Sequence, residues 1–244
     1  MTSLIVVRHG YSVANDAHCF AGRLDTPLSD IGKQQAEHVG TYLAANMHID
    51  KIYTSGLTRT IQTAMPTATR LGLPLHSEQG LQEIFAGLWE GIPYKEIKRL
   101  FHDDFMTWCH DLPHARCTCG ESIRELYHRT KKTVFRLAEE NEGKTLLLVT
   151  HATPLRAIHA VALGVSPDLF HTVPCHVNAS INIFSYEDGV LSLNTNNLVV
   201  YPTHLLHSSA YPMPPRLMKA STSHDKHPTL LFEKGFTHDS LSPH

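Results

Sequence analysis

The stretch LIVVRHGYSV (residues 4–13) joins an apolar run to residues of a different kind. Residues 4–7 are apolar and partly β-branched, which is typical of a buried strand. Arg8, His9 and Gly10 follow at once, although a strand that ends in solvent has no need of them. Because the chain contains 19 histidines, His9 alone indicates no function. Its meaning depends on which residues the rest of the chain places beside it.

Short strand-like segments alternate with longer helical segments along most of the chain. The strand-like segments are 4–7, 51–55 and 144–150; the helical segments are 29–46, 57–72, 93–108, 121–140 and 153–164; and 179–197 has the pattern of a hairpin with Asp188 and Gly189 at its turn. This alternation predicts an α/β fold of three layers, a mainly parallel central sheet with helices on both faces and the hairpin at one edge. A chain of 244 residues that is 42% hydrophobic can fill one such core.

Polar residues stand where the predicted parallel strands end. Arg8 and His9 follow the first strand, Ser55 ends the second, and His151 follows the third. Ligands of open α/β sheets bind outside the carboxyl ends of the strands, so we expect these side chains to converge on one crevice. Gly10 would let the backbone there come close to a ligand.

Phosphate chemistry requires residue types that this chain supplies at these positions. Arginines and imidazoles bind a phosphoryl group, and its transfer needs a nucleophile and a general acid. Arg8, His9, Arg59, His151 and Glu83 are of these types. Each alone has a commoner explanation, such as a core histidine or a solvated ion pair. Their joint placement favours a phosphate site.

Five motifs, taken in order, resemble the histidine phosphatase superfamily, the phosphoglycerate-mutase-like proteins. They are RHGYSVAND (8–16) with FAGRLDTPLSDIGKQQA (20–36), YTSGLTRTIQTA (53–64), LQEIFAGLWEG (81–91), GESIRELYHR (120–129) and LLLVTHATPLRAI (146–158). Two positions depart from the pattern of that family: Ala152 follows His151 where Gly is more frequent, and Gly56 stands where Pro is common.

The resemblance implies a role for each matched residue. The nucleophile that becomes a phosphohistidine is His9, the proton donor is Glu83, and the phosphate pocket is formed by Arg8, Arg59 and His151 with help from Asn15 and Ser12. Neighbouring cations would lower the pKa of His9 and keep it neutral for attack. No metal or cofactor is implied, because the arginines and His151 supply the positive charge. The implied reaction is hydrolysis of a small-molecule phosphomonoester.

Two other functions are compatible with the same pocket. One is a phosphoglycerate mutase that depends on 2,3-bisphosphoglycerate; the segment FAGLWEG (85–91) and the short interval between Glu83 and His151 favour the phosphatase branch instead. The other is an inactive binding or scaffold protein, which the presence of every expected catalytic residue disfavours. The aromatic residues of segment 92–120 either pack a helical cap, which we favour, or line the substrate pocket; they are Tyr94, Phe101, Phe105 and Trp108.

Composition excludes several classes of protein and leaves some questions open. A net charge of −2 indicates no nucleic-acid-binding surface, and no apolar run is long enough to span a membrane. The five cysteines fit a reducing, cytoplasmic location better than a disulfide framework. The run CHDLPHARCTCG (109–120) lacks the spacing of a zinc finger, so free thiols are expected there, with a metal site as the alternative. We expect a domain over 1–200 with a cap at about 92–140, a partly ordered Pro/His/Ser-rich extension over 201–244, and a possible homodimer.

Overall fold

A six-stranded sheet is the central element of the computed structural model, which describes residues 1–207. The strands are β1 (Thr2–Arg8), β2 (Lys51–Thr54), β3 (Leu75–Ser77), β4 (Thr145–Thr150), β5 (Ile181–Glu187) and β6 (Val190–Leu198). Their spatial order is β3-β2-β4-β1-β5-β6; the first four are parallel, and β5 and β6 form an antiparallel hairpin at one edge. The predicted α/β sheet with one edge hairpin is confirmed. The sequence pattern missed β3, which has only three residues.

The helices surround this sheet and begin and end at recognisable residues. They are α1 (Val13–Asp16), α2 (Asp30–Asn46), α3 (Thr58–Leu71), α4 (Tyr94–Leu100), α5 (His102–His110), α6 (Ile123–Glu139) and α7 (Ala152–Ala162). Ser29 caps α2 by accepting from the Gly32 amide, and Gly72 ends α3 with a φ of 66°, which suits a residue without Cβ. The single helix predicted over 93–108 is two helices, because Phe101 leaves helical geometry and turns its ring into the cap.

The side chains of β1 alternate between two hydrophobic layers. Ile5 and Val7 pack with α2 and α3 on one face, whereas Leu4 and Val6 pack with α6 and α7 on the other. Full burial of each such side chain contributes about 1.5–3 kcal/mol. Both faces of the strand are therefore fixed, and the residues at its carboxyl end are held at one place on the sheet edge.

A third apolar cluster forms the cap beside this edge. Trp89, Phe105 and Trp108 are buried there, and the ring centroids of Trp89 and Trp108 lie 5.8 Å apart in edge-to-face contact. The packing interpretation of the cap aromatics is thus correct for Phe105 and Trp108. Tyr94 fits both interpretations, because it packs against this cluster and its side chain also lines the cavity described below.

The chain continues to pack beyond residue 200. The Tyr201 hydroxyl donates to the Asn178 carbonyl at 2.6 Å, and the Gln35 amide donates to the Leu205 carbonyl at 2.8 Å. What we predicted for the later part of the extension, 208–244, falls outside the described residues. The domain and cap boundaries stay predictions.

Within residues 1–207, no helix combines the length and the apolar character that crossing a membrane would require. The cytoplasmic location and the homodimer stay predictions.

Candidate active site

His9 lies directly after β1, and its ring orientation is fixed by a neighbouring carbonyl. Its Nδ1 lies 2.7 Å from the Gly10 carbonyl oxygen. A carbonyl oxygen can only accept, so Nδ1 carries the proton and Nε2 keeps its lone pair. The side chain is 5% exposed and lines a cavity at the carboxyl edge of the sheet. His9 therefore has the tautomer that a nucleophilic Nε2 requires.

The electrostatic surroundings keep His9 neutral. Burial lowers its pKa well below the ordinary 6.5, and the guanidinium groups of Arg59 and Arg8 lower it further. The hydrogen bond with the Gly10 carbonyl opposes these effects without cancelling them. The predicted influence of the neighbouring cations is thus present, although burial is the larger cause.

Arg59, in the first turn of α3, is held in one orientation by three acceptors. Its Nη1 donates to the Leu24 carbonyl at 2.9 Å, its Nη2 to the Gly22 carbonyl at 2.7 Å, and its Nε to His151 Nδ1 at 3.2 Å. Although Arg59 is only 1% exposed, it lines the same cavity as His9. A fully charged guanidinium is therefore preorganised beside the nucleophile.

A chain of hydroxyl groups behind His151 fixes the tautomer of that residue. The Thr60 hydroxyl donates to the Leu57 carbonyl at 2.7 Å, so it accepts from the Ser55 hydroxyl at 3.0 Å. Ser55 Oγ in turn accepts from His151 Nε2 at 2.8 Å. Nδ1 of His151 is then left as the acceptor for Arg59, and burial together with Arg59 lowers the pKa of His151 well below 6.5.

The segment just before β5 fixes the backbone on the other side of His9. The His176 carbonyl accepts from Arg8 Nη1 at 2.5 Å, and Asn178 Nδ2 donates to the His9 carbonyl at 3.0 Å. The Ala179 amide donates to the carbonyls of both Arg8 and His9, at 3.0 and 3.2 Å. The nucleophile and its neighbouring arginine therefore do not depend on β1 alone for their position.

Asn15 and Ser12 form a capping box at the start of α1, at the edge of the cavity. The Asn15 Oδ1 accepts from the Ser12 amide at 3.0 Å, the Ser12 hydroxyl at 3.0 Å and Asn178 Nδ2 at 3.3 Å. With its oxygen held by these donors, the amide presents its NH₂ group as the free side. An NH₂ group at this place is suited to an anion.

Glu83 follows the 3₁₀ turn Gln79–Leu81, and its carboxylate lines the cavity while 6% exposed. Oε1 accepts from the Ile84 amide at 2.8 Å, and Oε2 from the Thr153 amide in the first turn of α7 at 3.4 Å. Arg129 holds the backbone of this segment, donating to the Gly80 and Gln82 carbonyls at 2.8 and 3.0 Å. The backbone that precedes Glu83 is therefore held in place by Arg129 of α6.

The structure brings the predicted residues together with two refinements. Six of them line one cavity: Arg8, His9, Ser12, Asn15, Arg59 and Glu83. His151 is fully buried behind that lining, with its ring centroid 5.1 Å from that of His9. We predicted that Gly10 lets the backbone approach a ligand, but the structure gives another cause for glycine at this position. A Cβ there would lie 2.7 Å from the Gly32 carbonyl oxygen. Packing of α2 on this loop therefore requires glycine whether or not a ligand binds.

Both departures from the family pattern have a visible consequence. Gly56 has a φ of 83°, which the ring of a proline could not adopt, so the turn after β2 follows its own backbone path. Ala152 lines the cavity at the start of α7, where its methyl group adds apolar surface.

Comparison with known proteins agrees with this geometry. A family model described as histidine phosphatase superfamily (branch 1) matches residues 4–198. Phosphoserine phosphatase 1 of Hydrogenobacter thermophilus is 32% identical over 197 residues, which cover 80% of this chain and 92% of that protein. The chain belongs to the histidine phosphatase superfamily.

Two further comparisons place this histidine phosphatase among enzymes and folds of similar size. Adenosylcobalamin/alpha-ribazole phosphatase of Escherichia coli is 29% identical over 162 residues, 66% of this chain and 79% of that protein. The solved structure of Bacillus stearothermophilus YhfR is 27% identical with a TM-score of 0.77, covering 84% of this chain and all of that one. The two relatives reported above whose names state an activity are both phosphatases. The histidine phosphatase is therefore a phosphohydrolase.

Sequence reasoning missed Arg129 and Asn178, which hold Glu83 and Asn15, respectively. It placed Ser55 at this edge of the sheet but missed its hydrogen bond with His151. Arg129 stands in the motif GESIRELYHR and Ser55 in YTSGLTRTIQTA, so the motifs contained the signal without indicating the contact. Asn178 lies in no motif that we identified.

The Cys/His-rich run 109–119 forms no metal cluster in the structure. Among the described residues, no group of three or more His, Cys, Asp or Glu side chains could hold a metal ion. The described cysteines are free thiols, and burial raises the pKa of Cys117.

Proposed function

We propose that this histidine phosphatase hydrolyses small-molecule phosphomonoesters through a phosphohistidine on His9, with Glu83 as the proton donor. One observation carries the proposal. His9 Nδ1 donates its hydrogen to the Gly10 carbonyl, so Nε2 keeps its lone pair. His9 lines the same cavity as Arg8, Arg59 and Glu83. A nucleophile, a fixed positive charge and an acid therefore share one small space.

In the first step, Nε2 of His9 attacks phosphorus, and the bond from phosphorus to the leaving oxygen breaks. The Glu83 carboxyl group gives its proton to that oxygen, so the alcohol leaves neutral. Arg8 and Arg59 neutralise the charge that spreads over the phosphoryl oxygens. A bound dianion also favours the protonated form of His151, which adds positive charge behind the lining.

In the second step, water attacks the phosphohistidine and the bond between phosphorus and nitrogen breaks. Glu83, now a carboxylate, takes the proton from the water, and His9 regains its neutral form. Inorganic phosphate is released, so the enzyme returns to its starting state with no other reactant consumed. The arginines supply the charge that metal ions supply in many phosphoryl-transfer sites.

The role of Glu83 is tested by the dependence of the reaction on the leaving group. Glu83→Gln should lower kcat/KM for an alkyl phosphate about 10²–10⁴-fold. The loss should be much smaller for p-nitrophenyl phosphate, whose leaving group needs no proton. Glu90→Gln is the matched control, because Glu90 accepts from the Arg23 and Ala86 amides and Gln keeps an acceptor oxygen. Equal losses for both esters would contradict the proposed proton transfer.

The mutase alternative is tested in the same assay. Release of inorganic phosphate should be independent of added 2,3-bisphosphoglycerate, because water is the acceptor. A requirement for that compound, with phosphate transferred to a second phosphoglycerate, would favour the mutase. The phosphatases named among the relatives support the hydrolase, although their names differ in substrate: phosphoserine in one and alpha-ribazole in another.

A further inference from the structure

We propose that Glu121 is a positioning residue, which places the proton donor Glu83 without touching the substrate. The proposal rests on the proposed function, because it explains how the acid of that function is kept in place. Glu121 stands just before α6, and its side chain is only 11% exposed although it carries a charge. It lies outside the described lining of the cavity, so its influence has to pass through the backbone of residues 80–85, the acid segment.

Both carboxylate oxygens of Glu121 accept from one guanidinium group. Arg129 donates from Nε to Oε1 and from Nη2 to Oε2, each at 2.8 Å, which is the paired geometry that fixes the plane of an arginine. In that orientation Nη1 donates to the carbonyls of Gly80 and Gln82, and Nη2 to the carbonyl of Glu83 at 3.4 Å. The hold of Arg129 on the acid segment therefore depends on Glu121.

Glu121 also binds the acid segment directly, on the other side of Glu83. Its Oε2 accepts from the Phe85 amide at 3.2 Å, and its own amide donates to the Phe85 carbonyl at 2.7 Å. A Cβ on Gly120 would clash with the same carbonyl oxygen, so the two backbones approach as closely as glycine allows. Glu83 is thus held on both sides by contacts that involve Glu121.

A second guanidinium group shares the Glu121 carboxylate. Arg23 Nη2 lies 3.6 Å from Oε2 of Glu121, and Arg23 Nε donates to the Glu83 carbonyl at 3.4 Å. Arg23 and Arg129 therefore approach one carboxylate oxygen and one carbonyl oxygen together. The negative charge of Glu121 offsets the repulsion between these two cations, so a neutral residue of the same shape would hold the acid segment less firmly.

The position of this backbone decides where the acid lies. Oε1 of Glu83 accepts from the Ile84 amide at 2.8 Å, so the carboxyl group is tied to the acid segment that carries it. A general acid works only within hydrogen-bond reach of the leaving oxygen, and a misplacement of about 1 Å can cost about 10²-fold in rate. Loss of the Glu121 charge should therefore harm proton transfer more than any other part of the reaction.

The test compares an ester that needs the proton with one that does not. Glu121→Gln should lower kcat/KM about 10–10²-fold for glycerol 3-phosphate but within about threefold for p-nitrophenyl phosphate. Both rates are measured on one preparation, so their ratio does not depend on how much of the variant is folded. An unchanged ratio overturns the proposal.

A matched control and a second variant guard the result. Glu125→Gln, also at the start of α6, should leave the ratio unchanged, because Glu125 accepts from Arg116 and the Ser122 amide, away from the acid segment. Arg129→Lys should change the ratio in the same direction as Glu121→Gln, because lysine cannot form the paired contact. The same change in Glu125→Gln, or none in Arg129→Lys, would contradict the proposal.

A double-mutant cycle decides whether Glu121 acts through Glu83. In a Glu83→Gln background, Glu121→Gln should change kcat/KM for glycerol 3-phosphate by less than about threefold, because no acid is left to place. A further loss as large as that in the wild-type background would overturn the proposal.

Failure of the proposal can be told apart from failure of the proposed function. If Glu83→Gln lowers kcat/KM equally for both esters, the proton transfer is wrong and the proposal falls with it. If Glu83→Gln separates the two esters while Glu121→Gln and Arg129→Lys do not, the proposed function stands and only the role of Glu121 is wrong.

Discussion

Two pairs of buried histidines are in contact within residues 1–207 of the histidine phosphatase, and they differ in what surrounds them. The rings of His9 and His151 meet edge to face with centroids 5.1 Å apart, whereas His159 and His176 are stacked at 3.8 Å. Burial is the largest cause of a lowered pKa in all four residues, and it takes His159 to about 4. By burial and pKa alone, the two pairs are equivalent.

The surroundings of the two pairs separate their roles. His9 and His151 lie among Arg8 and Arg59, with a lone pair of His9 facing a cavity. The other pair lies outside the lining of that cavity: His159 Nδ1 is 3.0 Å from the Leu155 carbonyl, and His176 Nε2 is 3.0 Å from Asn196 Oδ1. Arg8 and Arg156 also lower the pKa of His176, so nearby cations are common to both pairs. The comparison indicates that a buried histidine becomes a candidate nucleophile through its place at a cavity that arginines also line, not through its pKa.

The largest expected effect comes from exchanging one histidine in each pair. His9→Gln should lower kcat/KM for glycerol 3-phosphate by about 10³-fold or more, because it removes the nucleophile. His159→Gln should keep kcat/KM of the folded protein within about threefold, although it lowers the free energy of unfolding by about 1–3 kcal/mol through lost packing. The measurements are initial rates and urea unfolding of both variants. Comparable losses of activity would show that the two pairs do not differ as described.

The next effect tests whether the arginines make the difference. Arg59→Lys should lower kcat/KM about 10²–10³-fold, because lysine cannot keep both carbonyl contacts and the contact with His151. Arg156→Lys is the matched control: Arg156 is also buried and donates to the Val173 and His171 carbonyls, at 2.5 and 3.0 Å, outside the cavity. Its activity should stay within about fivefold of the wild type once folded. Similar losses in kcat/KM from folded protein would contradict the account.

The smallest expected effect is a shift in the pH at which kcat/KM declines on the acid side of its pH profile. The pKa of His9 lies below 6.5, so its neutral, nucleophilic form persists below that pH and the acid limb of kcat/KM should lie there. Arg8→Gln removes a cation that lowers this pKa, so the limb should move to higher pH. The check is kcat/KM between pH 4 and 8 for both proteins, together with His159→Gln, which should leave the limb in place. An acid limb that stays fixed in Arg8→Gln would oppose the assignment.

The stability of the fold has a related dependence on pH, whose sign follows from the same shifts. The folded pKa of His159, about 4, is lower than its ordinary value of 6.5. The contribution of the neutral ring is therefore fully present above pH 6.5 and is lost as the pH falls toward 4. Activity and stability must thus be measured together at acid pH, because both decline in the same range.

Much of the site could be predicted because its residues follow strands. Arg8, His9 and His151 stand at the ends of apolar runs, and parallel strands bring those ends to one edge. The supporting contacts could not be predicted in this way. Asn178 reaches the His9 carbonyl across 169 positions of sequence, and no local pattern encodes that distance.

The cap shows a second limit of sequence reasoning. Tyr94, Phe105 and Trp108 have the same apolar character and lie within one helical segment, yet only Tyr94 lines the cavity. The break at Phe101 puts Tyr94 on a different helix from Phe105 and Trp108. A periodic pattern indicates which residues are apolar, but the direction of each ring depends on a kink that the pattern does not contain.

The most direct test of the central claim is to trap the intermediate. The protein is mixed with a ³²P-labelled phosphomonoester and quenched with alkali within milliseconds, and the labelled peptide is then sequenced. The account predicts a label on His9 that survives alkali and is lost in acid, as expected for a phosphohistidine, and that is absent in His9→Gln but present in His159→Gln. An acid-stable label, or a label on any residue other than His9, would contradict it.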